Sequence, residues 1–270
     1  MSLWHRSSSL IYLAPLLIEW QSESGHDVDG RIEIQESQTP LQIATLFESA
    51  TKESQRRQAN LDHVAISLSS ELVKAFILPW QEKLMTGKQL RAYVSYYFQE
   101  RFGLDGSEWE FRIFRQGYGL PALACALSKS ILKEIALNAK AQGLTISRIE
   151  PYFATVLNRI GHLVDQSPCW IVIEEDCGLS ALYQATEQGY VHFVRWNKTG
   201  QSLTDLIDRE AKILLLPQTD APIYLYSRSG MANTSNQSTN QQIIRLQQRS
   251  TATSTSKLKI AGCSQGGRYE

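Results

Sequence analysis

The sequence predicts an α/β protein in two parts with the second part cut short, and three observations carry that prediction. From residue 10 to residue 149, apolar runs of strand length alternate with longer amphipathic segments of helical period. After Glu150-Pro151, a helix-length segment leads into the apolar strand 169–173, an acidic turn, and two more strands that meet at Gln188-Gly189. Beyond Ser227 the composition changes to Asn, Ser, Thr and Gln, which bury too little surface to offset the entropy of ordering. A chain of 270 residues with 43% hydrophobic content holds one large two-lobed domain or two small ones, each with a real core. The expected division is 1–150 for the first lobe, 151–226 for the truncated second lobe, and 227–270 for a low-complexity, mobile tail.

Each element follows from local pattern. Residues 10–20 read as one buried strand, 25–30 as turn chemistry, and 31–35 as an alternating, half-exposed strand. Thr39-Pro40 opens a helix running to about Arg57, with Leu41, Ala44, Leu46, Phe47 and Ala50 on or near one face. Strands follow at 63–68 and 72–78, the latter ending at Pro79-Trp80. Residues 87–102 carry Leu90, Tyr93, Val94, Tyr97, Phe98 and Phe102 at helical spacing, which is the pattern of a core face, and Gly103 stands where a C-terminal cap belongs. A strand at 108–116, a long Ala- and Leu-rich helix at 120–142 and a short strand at 145–149 complete the first half. The second half adds a helix at 152–160, the three strands already named, a helix at 202–215 and a strand at 223–226. In the polar tail, only Ile243, Ile244 and Leu246 mark a helical turn or strand near 241–248.

Charge and cysteine usage narrow the function classes. Lys plus Arg equals Asp plus Glu at 27 each, so no overall field draws the chain to nucleic acid or to an anionic membrane. No basic patch interleaves with aromatics; the nearest approach, Arg112 and Arg115 with Phe111 and Phe114, is plain alternation on one strand. Cys125, Cys169, Cys177 and Cys263 have neither Cys-x-x-Cys nor paired Cys/His spacing, which suits free thiols better than zinc. A metal shared by His162, His192, Cys169 and Cys177 is the weaker alternative, and no metal site is expected. Pro15, Glu19 and Trp20 interrupt the apolar run 10–18 well short of the ~20 residues of a membrane span.

The chemistry-bearing motif is Asp176-Cys177-Gly178-Leu179-Ser180, between two strands. At a phosphate site, Gly178 would let backbone approach the ligand, Ser180 and successive N–H groups would donate to phosphate oxygens, and Asp176 would hold a hydrated metal ion. The same residues serve equally well as hairpin chemistry.

With Leu78-Pro79-Trp80, Ala141-Gln142-Gly143-Leu144, Ile149-Glu150-Pro151 and the Asp176–Ser180 loop in this order of strands and helices, the chain resembles the actin-like cytoplasmic proteins of pilus and secretion assembly platforms. These are the PilM type of type IV pili and the cytoplasmic part of the GspL type of type II secretion. The resemblance implies an actin-like, ribonuclease H-like two-lobed fold and a cytoplasmic scaffold held at the inner membrane by docking the short cytoplasmic tail of a single-span partner, with a motor ATPase as a further contact. In an ATP-hydrolysing relative, a first-hairpin loop of the Asp-x-Gly-x-x-Ser/Thr sort and a late Gly-Gly complete the nucleotide site. Here residues 12–20 contain no aspartate, glycine or hydroxyl donor apart from the Tyr12 phenol, and Ser227-Arg228-Ser229-Gly230 is a poor match to the second. Asp176, Gly178 and Ser180 therefore stand as a remnant phosphate loop; no catalytic residue and no cofactor is expected, with ATP and Mg²⁺ the group that such a remnant would hold. The rival class is an enzyme, either an ATP-dependent kinase of the sugar or acetate kinase sort or an actin-like ATPase. A nuclease would draw on Glu19, Glu33 and Asp62.

Overall fold

The computed structural model describes residues 9–15, 17–21, 30–33, 43–56, 63–82, 86–161, 163–164, 168–176, 178–185, 188–197, 200–216, 221–228 and 243–246. Its first half runs β1 (Ser9–Ala14), β2 (Leu17–Gln21), β3 (Gly30–Glu33), α1 (Ile43–Arg56), β4 (His63–Leu68), β5 (Val73–Leu78), α2 (Gly87–Phe102), β6 (Trp109–Arg115), β7 (Ala122–Ser128), α3 (Lys129–Ala141) and β8 (Thr145–Pro151). The second runs α4 (Tyr152–Ile160), β9 (Cys169–Glu175), β10 (Gly178–Ala185), β11 (Gly189–Asn197), α5 (Leu203–Ile213), β12 (Ile223–Ser227) and β13 (Ile243–Leu246). By contact the chain divides into two compact units. One comprises Met1–Lys74, Arg91–Phe111 and Cys125–Thr155; the other comprises Ala75–Leu90, Arg112–Ala124 and Val156–Glu270. Of the turn expected at 25–30, residues 25–29 lie outside the described residues and Gly30 begins β3; the helix-opening Thr39, Pro40 and Leu41 also lie outside them.

The first unit is built on a five-stranded sheet of order β3-β2-β1-β4-β8. Its first two strands correct the single strand expected over residues 10–20: Ala14 pairs with Leu17, and Pro15 lies in the turn between them. Proline has no N–H for a ladder and a fixed φ, so the chain turns at Pro15. The turn was hidden because both arms are apolar and buried, including Ile11, Leu13, Ile18 and Trp20. β2 and β3 are antiparallel, whereas β4 lies parallel to β1 and β8 parallel to β4. α1 buries Leu46, Phe47 and Ala50 of the expected face together with Ile43, which was not expected there, whereas Ala44 is exposed.

Helix α2 begins and ends where its caps dictate. Thr86 and Gln89 form a reciprocal capping box, each backbone N–H donating to the other's side-chain oxygen at 3.1 and 3.2 Å. At the other end, Gly103 has φ +66° and its N–H donates to Gln99 O at 2.8 Å. Phe98, fully buried, packs its ring against Phe102, Trp109 and Phe111 at centroid distances of 5.0 to 5.2 Å.

Residues 120–142 are a strand followed by a helix, where one long helix was expected. β7 occupies a three-stranded sheet of order β5-β7-β6, and four consecutive residues, Leu123 to Ala126, are buried. Burial on both faces of a strand outweighs the helix preference of Ala and Leu, which is small per residue. The helix starts after Ser128 and closes at Gly143, where φ is +74°.

The second unit repeats the topology of the first. Its sheet has the order β11-β10-β9-β12-β13, antiparallel for the first two pairings and parallel for the last two. Between the parallel strands β4 and β8 the chain inserts strands and helices; between β12 and β13 it has only residues 228–242, which is the sense in which this half is truncated. The segment near 241–248 for which a helical turn or a strand was expected is β13, and Ile243 packs against the core of Trp170, Val172, Leu206, Ile207, Ile223 and Leu225. Strand β12 reaches Ser227, and α5 is capped by Ser202, whose hydroxyl accepts from Asp205 N at 3.1 Å.

Replacing Phe98 by Ala leaves a cavity among three rings and is expected to lower the unfolding free energy by about 3–5 kcal/mol, measured by denaturant titration. A loss below about 1 kcal/mol would mean that this cluster does not stabilise the fold.

Candidate functional site

Asp176, Gly178 and Ser180 all lie at the β9–β10 turn, yet they do not form one open cradle. Asp176 is one residue past β9, and its carboxylate accepts from the guanidinium of Arg228, one residue past β12. The pair is 29% and 11% exposed at Asp176 and Arg228, so it is shielded from water more than a surface ion pair. Parallel pairing makes the meeting unavoidable: Ser227 lies opposite Glu174, and Arg228 N donates to Glu174 O at 3.2 Å. The next residue after each strand end is therefore at the same corner of the sheet.

Gly178 is buried, and its place in the strand is set by β11. A Cβ on it would lie 2.5 Å from Trp196 O, a contact with backbone that cannot rotate away. The glycine thus admits the close approach of the neighbouring strand. Ser180 is 1% exposed, and its Oγ has no hydrogen-bond partner. Its strand neighbours are Ile173 on one side and Arg195 on the other. Cys177 lies outside the described residues.

The remaining candidates are likewise held by protein partners. His192 Nε2 lies 3.3 Å from Glu210 Oε2, and Trp196 Nε1 donates to Glu210 Oε1 at 3.3 Å. Glu210, on α5, is buried, so these contacts satisfy a carboxylate that would otherwise be costly to bury. Cys169 is fully buried and burial pushes its thiol up to about 12, away from the thiolate that binds metal. Among the described residues no group of three or more His, Cys, Asp or Glu is arranged to hold a metal ion; His162 is outside them. In the first unit, Glu19 is buried and accepts from Arg31 Nη1 at 2.6 Å, while Arg31 Nη2 lies 3.4 Å from Glu33. Two of the three carboxylates considered for a nuclease thus share an arginine across β2 and β3, and Asp62 is outside the described residues. Phe111 packs on Phe98.

Arg228 and Glu210 were not foreseen from the sequence. Arg228 is 52 positions from Asp176 and Glu210 is 18 from His192, with no local pattern joining either pair. For Arg228 the signal becomes visible only when β12 is placed in parallel register beside β9.

No protein-family model matches the chain, and no curated protein matches it by sequence. Solved structures do match. The PilM–PilN type IV pilus biogenesis complex aligns with a TM-score of 0.60 at 9% identity, over 82% of this chain and 81% of that one. The cytoplasmic domain of EpsL, an inner membrane component of the type II secretion system of Vibrio cholerae, aligns at 0.53 and 12% over 81% of each. A Bacteroides thetaiotaomicron protein with an actin-like ATPase fold and unknown function aligns at 0.54 and 9%, over 86% of this chain and 87% of that one. The fold is actin-like. Identities of this order concern the fold, and they agree with the resemblance that the sequence carries. In the actin-like frame, the first hairpin turns at Pro15, a residue with no N–H to offer a phosphate. No helix among the described residues is long and apolar enough to cross a membrane.

Two substitutions separate packing from ligand duty at this hairpin. Gly178→Ala is expected to destabilise the chain by about 1–3 kcal/mol through its clash with Trp196 O. Ser180→Ala is expected to leave stability unchanged or raised by up to about 1 kcal/mol, because it removes a buried hydroxyl with no partner. Melting curves of the two purified variants check both; a costly Ser180→Ala would mean that the hydroxyl has a partner in solution.

Proposed function

We propose that this chain is a non-catalytic scaffold in the assembly of a pilus-like or type II secretion-like envelope machine. The observation that carries the reading is the Asp176–Arg228 ion pair. The carboxylate that would hold the nucleotide's metal is neutralised by an arginine of the same chain. Phosphoryl transfer needs metal, phosphate and nucleophile positioned together. With Pro15 in the first turn, Trp196 O against Gly178 and Ser180 buried, the residues present do not fit ATP and Mg²⁺.

The likeness to the PilM–PilN complex and to the cytoplasmic domain of EpsL supports a role at the cytoplasmic face of an inner membrane. The chain has no net charge to bind anionic lipid, so recruitment goes through protein contact. The partner is a single-span membrane protein whose short cytoplasmic tail docks on the scaffold, supplying backbone hydrogen bonds and a few apolar anchors. A motor ATPase is the second contact of such a platform. The chain works in the cytoplasm, peripheral to the inner membrane through that partner.

Purified chain with Mg²⁺ and ATP is expected to release phosphate no faster than Asp176→Ala. Metal-dependent turnover that this substitution abolishes would overturn the scaffold reading in favour of an ATPase or kinase.

Recruitment is tested by expressing the chain with and without a single-span partner from the same assembly system and fractionating the cells. The chain is expected to sediment with membranes only when the partner keeps its cytoplasmic tail. Sedimentation without the partner would show direct membrane binding instead.

A further inference from the structure

Helix α5 has an inner and an outer face of opposite chemistry. Leu206, Ile207 and Glu210 are buried, and Leu203 at its start, with Leu214 and Leu216 just past its end, packs against the core cluster of the second unit. The outer face carries Asp205, Asp208, Arg209 and Lys212; Asp208 is half-buried and the other three are exposed. These four stand at i, i+3, i+4 and i+7, the spacing that puts side chains on one stripe of a helix. Their order is acid, acid, base, base. Acids in a first turn and bases in a last turn also suit the helix's own dipole, so the charges alone assign no partner.

The end of the helix adds a second observation. Leu215 has φ +52°, and among the described residues no other residue except glycine has a positive φ. It closes α5 in the left-handed conformation: its N–H donates to Lys212 O at 3.1 Å, and Leu216 N–H donates to Ala211 O at 3.0 Å. Glycine is usual at such a position, because a β-carbon there crowds the following carbonyl. The strained leucine is not held for the core of its own chain. It is 89% exposed, and Ile213, two residues before it, is 64% exposed. Strain kept at an exposed apolar side chain points to contact with another surface.

We propose that the outer face of α5 is a self-association surface, on which two copies of the chain pair with these helices antiparallel. Asp205 and Lys212 lie at equal distances along the chain from the midpoint between Asp208 and Arg209. A two-fold axis through that midpoint sets Asp205 of each copy level with Lys212 of the other, and Asp208 level with Arg209. A parallel mate would set acid against acid and base against base, so the charges fix the direction. Neither Asp205 nor Lys212 forms an ion pair with another described residue, and a second copy supplies both with one. At each end, Ile213 and Leu215 reach the level of the other helix's first turn, where Leu203 and Thr204 are half-buried. Exposed ion pairs are individually weak and screened by salt, so the dimer is reversible and tightest at low ionic strength. The inference does not rest on the scaffold reading: recruitment to a membrane could fail while self-association holds.

Sedimentation equilibrium of the full-length chain is the test. The unaltered chain is expected to form a concentration-dependent dimer that weakens as salt is raised from about 50 to about 500 mM. Asp205→Lys makes both ends of the stripe basic and Lys212→Asp makes both acidic, so each variant alone is expected to associate at least about tenfold more weakly. Mixed in equal amounts, the two are expected to recover the dimer, because each then meets the opposite sign in the other. Leu215→Gly is expected to weaken association without lowering the melting temperature, since glycine relieves the left-handed strain. An unaltered chain that stays monomeric at its highest soluble concentration would overturn the proposal. A dimer that both charge variants leave intact would do the same and assign the contact to another face, as would folded variants that fail to pair on mixing. Should either charge variant not fold, the salt series and Leu215→Gly decide in its place: a dimer that neither salt nor Leu215→Gly weakens would overturn the proposal.

Discussion

The parallel seating of β12 beside β9 is the constraint on which the second half of the protein depends. Register alone brings Ile223 to Trp170 and Leu225 to Val172, so the residues facing α5 line up in one row. Buried apolar surface of this kind is the main favourable term in the folded state. The same register carries Ser227 to Glu174, and thereby Arg228 to the turn that Asp176 occupies. It also leaves one buried strand with an edge to satisfy, which β13 does. Core, ion pair and edge strand are three consequences of one alignment.

Partly buried carboxylates are treated alike in both units. Asp176 meets Arg228 and Glu19 meets Arg31, in each case through a residue that the sheet places next to it. Arginine suits this role because it stays charged and its planar fork matches a carboxylate. Each of these carboxylates thus has its charge matched within the chain. Glu210 follows a related rule, taking the indole of Trp196 on one oxygen, with Arg209 Nη2 3.5 Å from it, and facing the imidazole of His192 on the other. Residues that look like ligands in a list become packing partners once their neighbours are known.

The two five-stranded sheets share one order and one pattern of strand directions. Topology survives where side chains do not, because it needs only apolar alternation and a turn or crossover of sufficient length. The first half spends the crossover between β4 and β8 on a further sheet and two helices. In the second, residues 228–242 cover the same step.

Elements whose ends are marked by local chemistry were legible in the sequence. The strand 63–68 and the helix 87–102 have the bounds that periodicity, Gly103 and the Thr86-x-x-Gln89 pattern dictate, since caps and left-handed glycines act within a turn of the chain. Helix against strand over 122–128 was not legible, because Ala and Leu are compatible with both and the neighbours β5 and β6 decided the outcome. Nor could the apolar run 10–20 reveal its hairpin, as both arms are buried and only Pro15 marks the turn. By itself the sequence determined the α/β class, the Asp176–Ser180 hairpin and the want of a phosphate loop in the first turn. The tertiary structure alone decided that Arg228 answers Asp176, that Gly178 makes room for Trp196 and that Ile243–Leu246 closes the sheet. These contacts join residues far apart in the chain, and strand pairing, which has no local signature, is what brings them together.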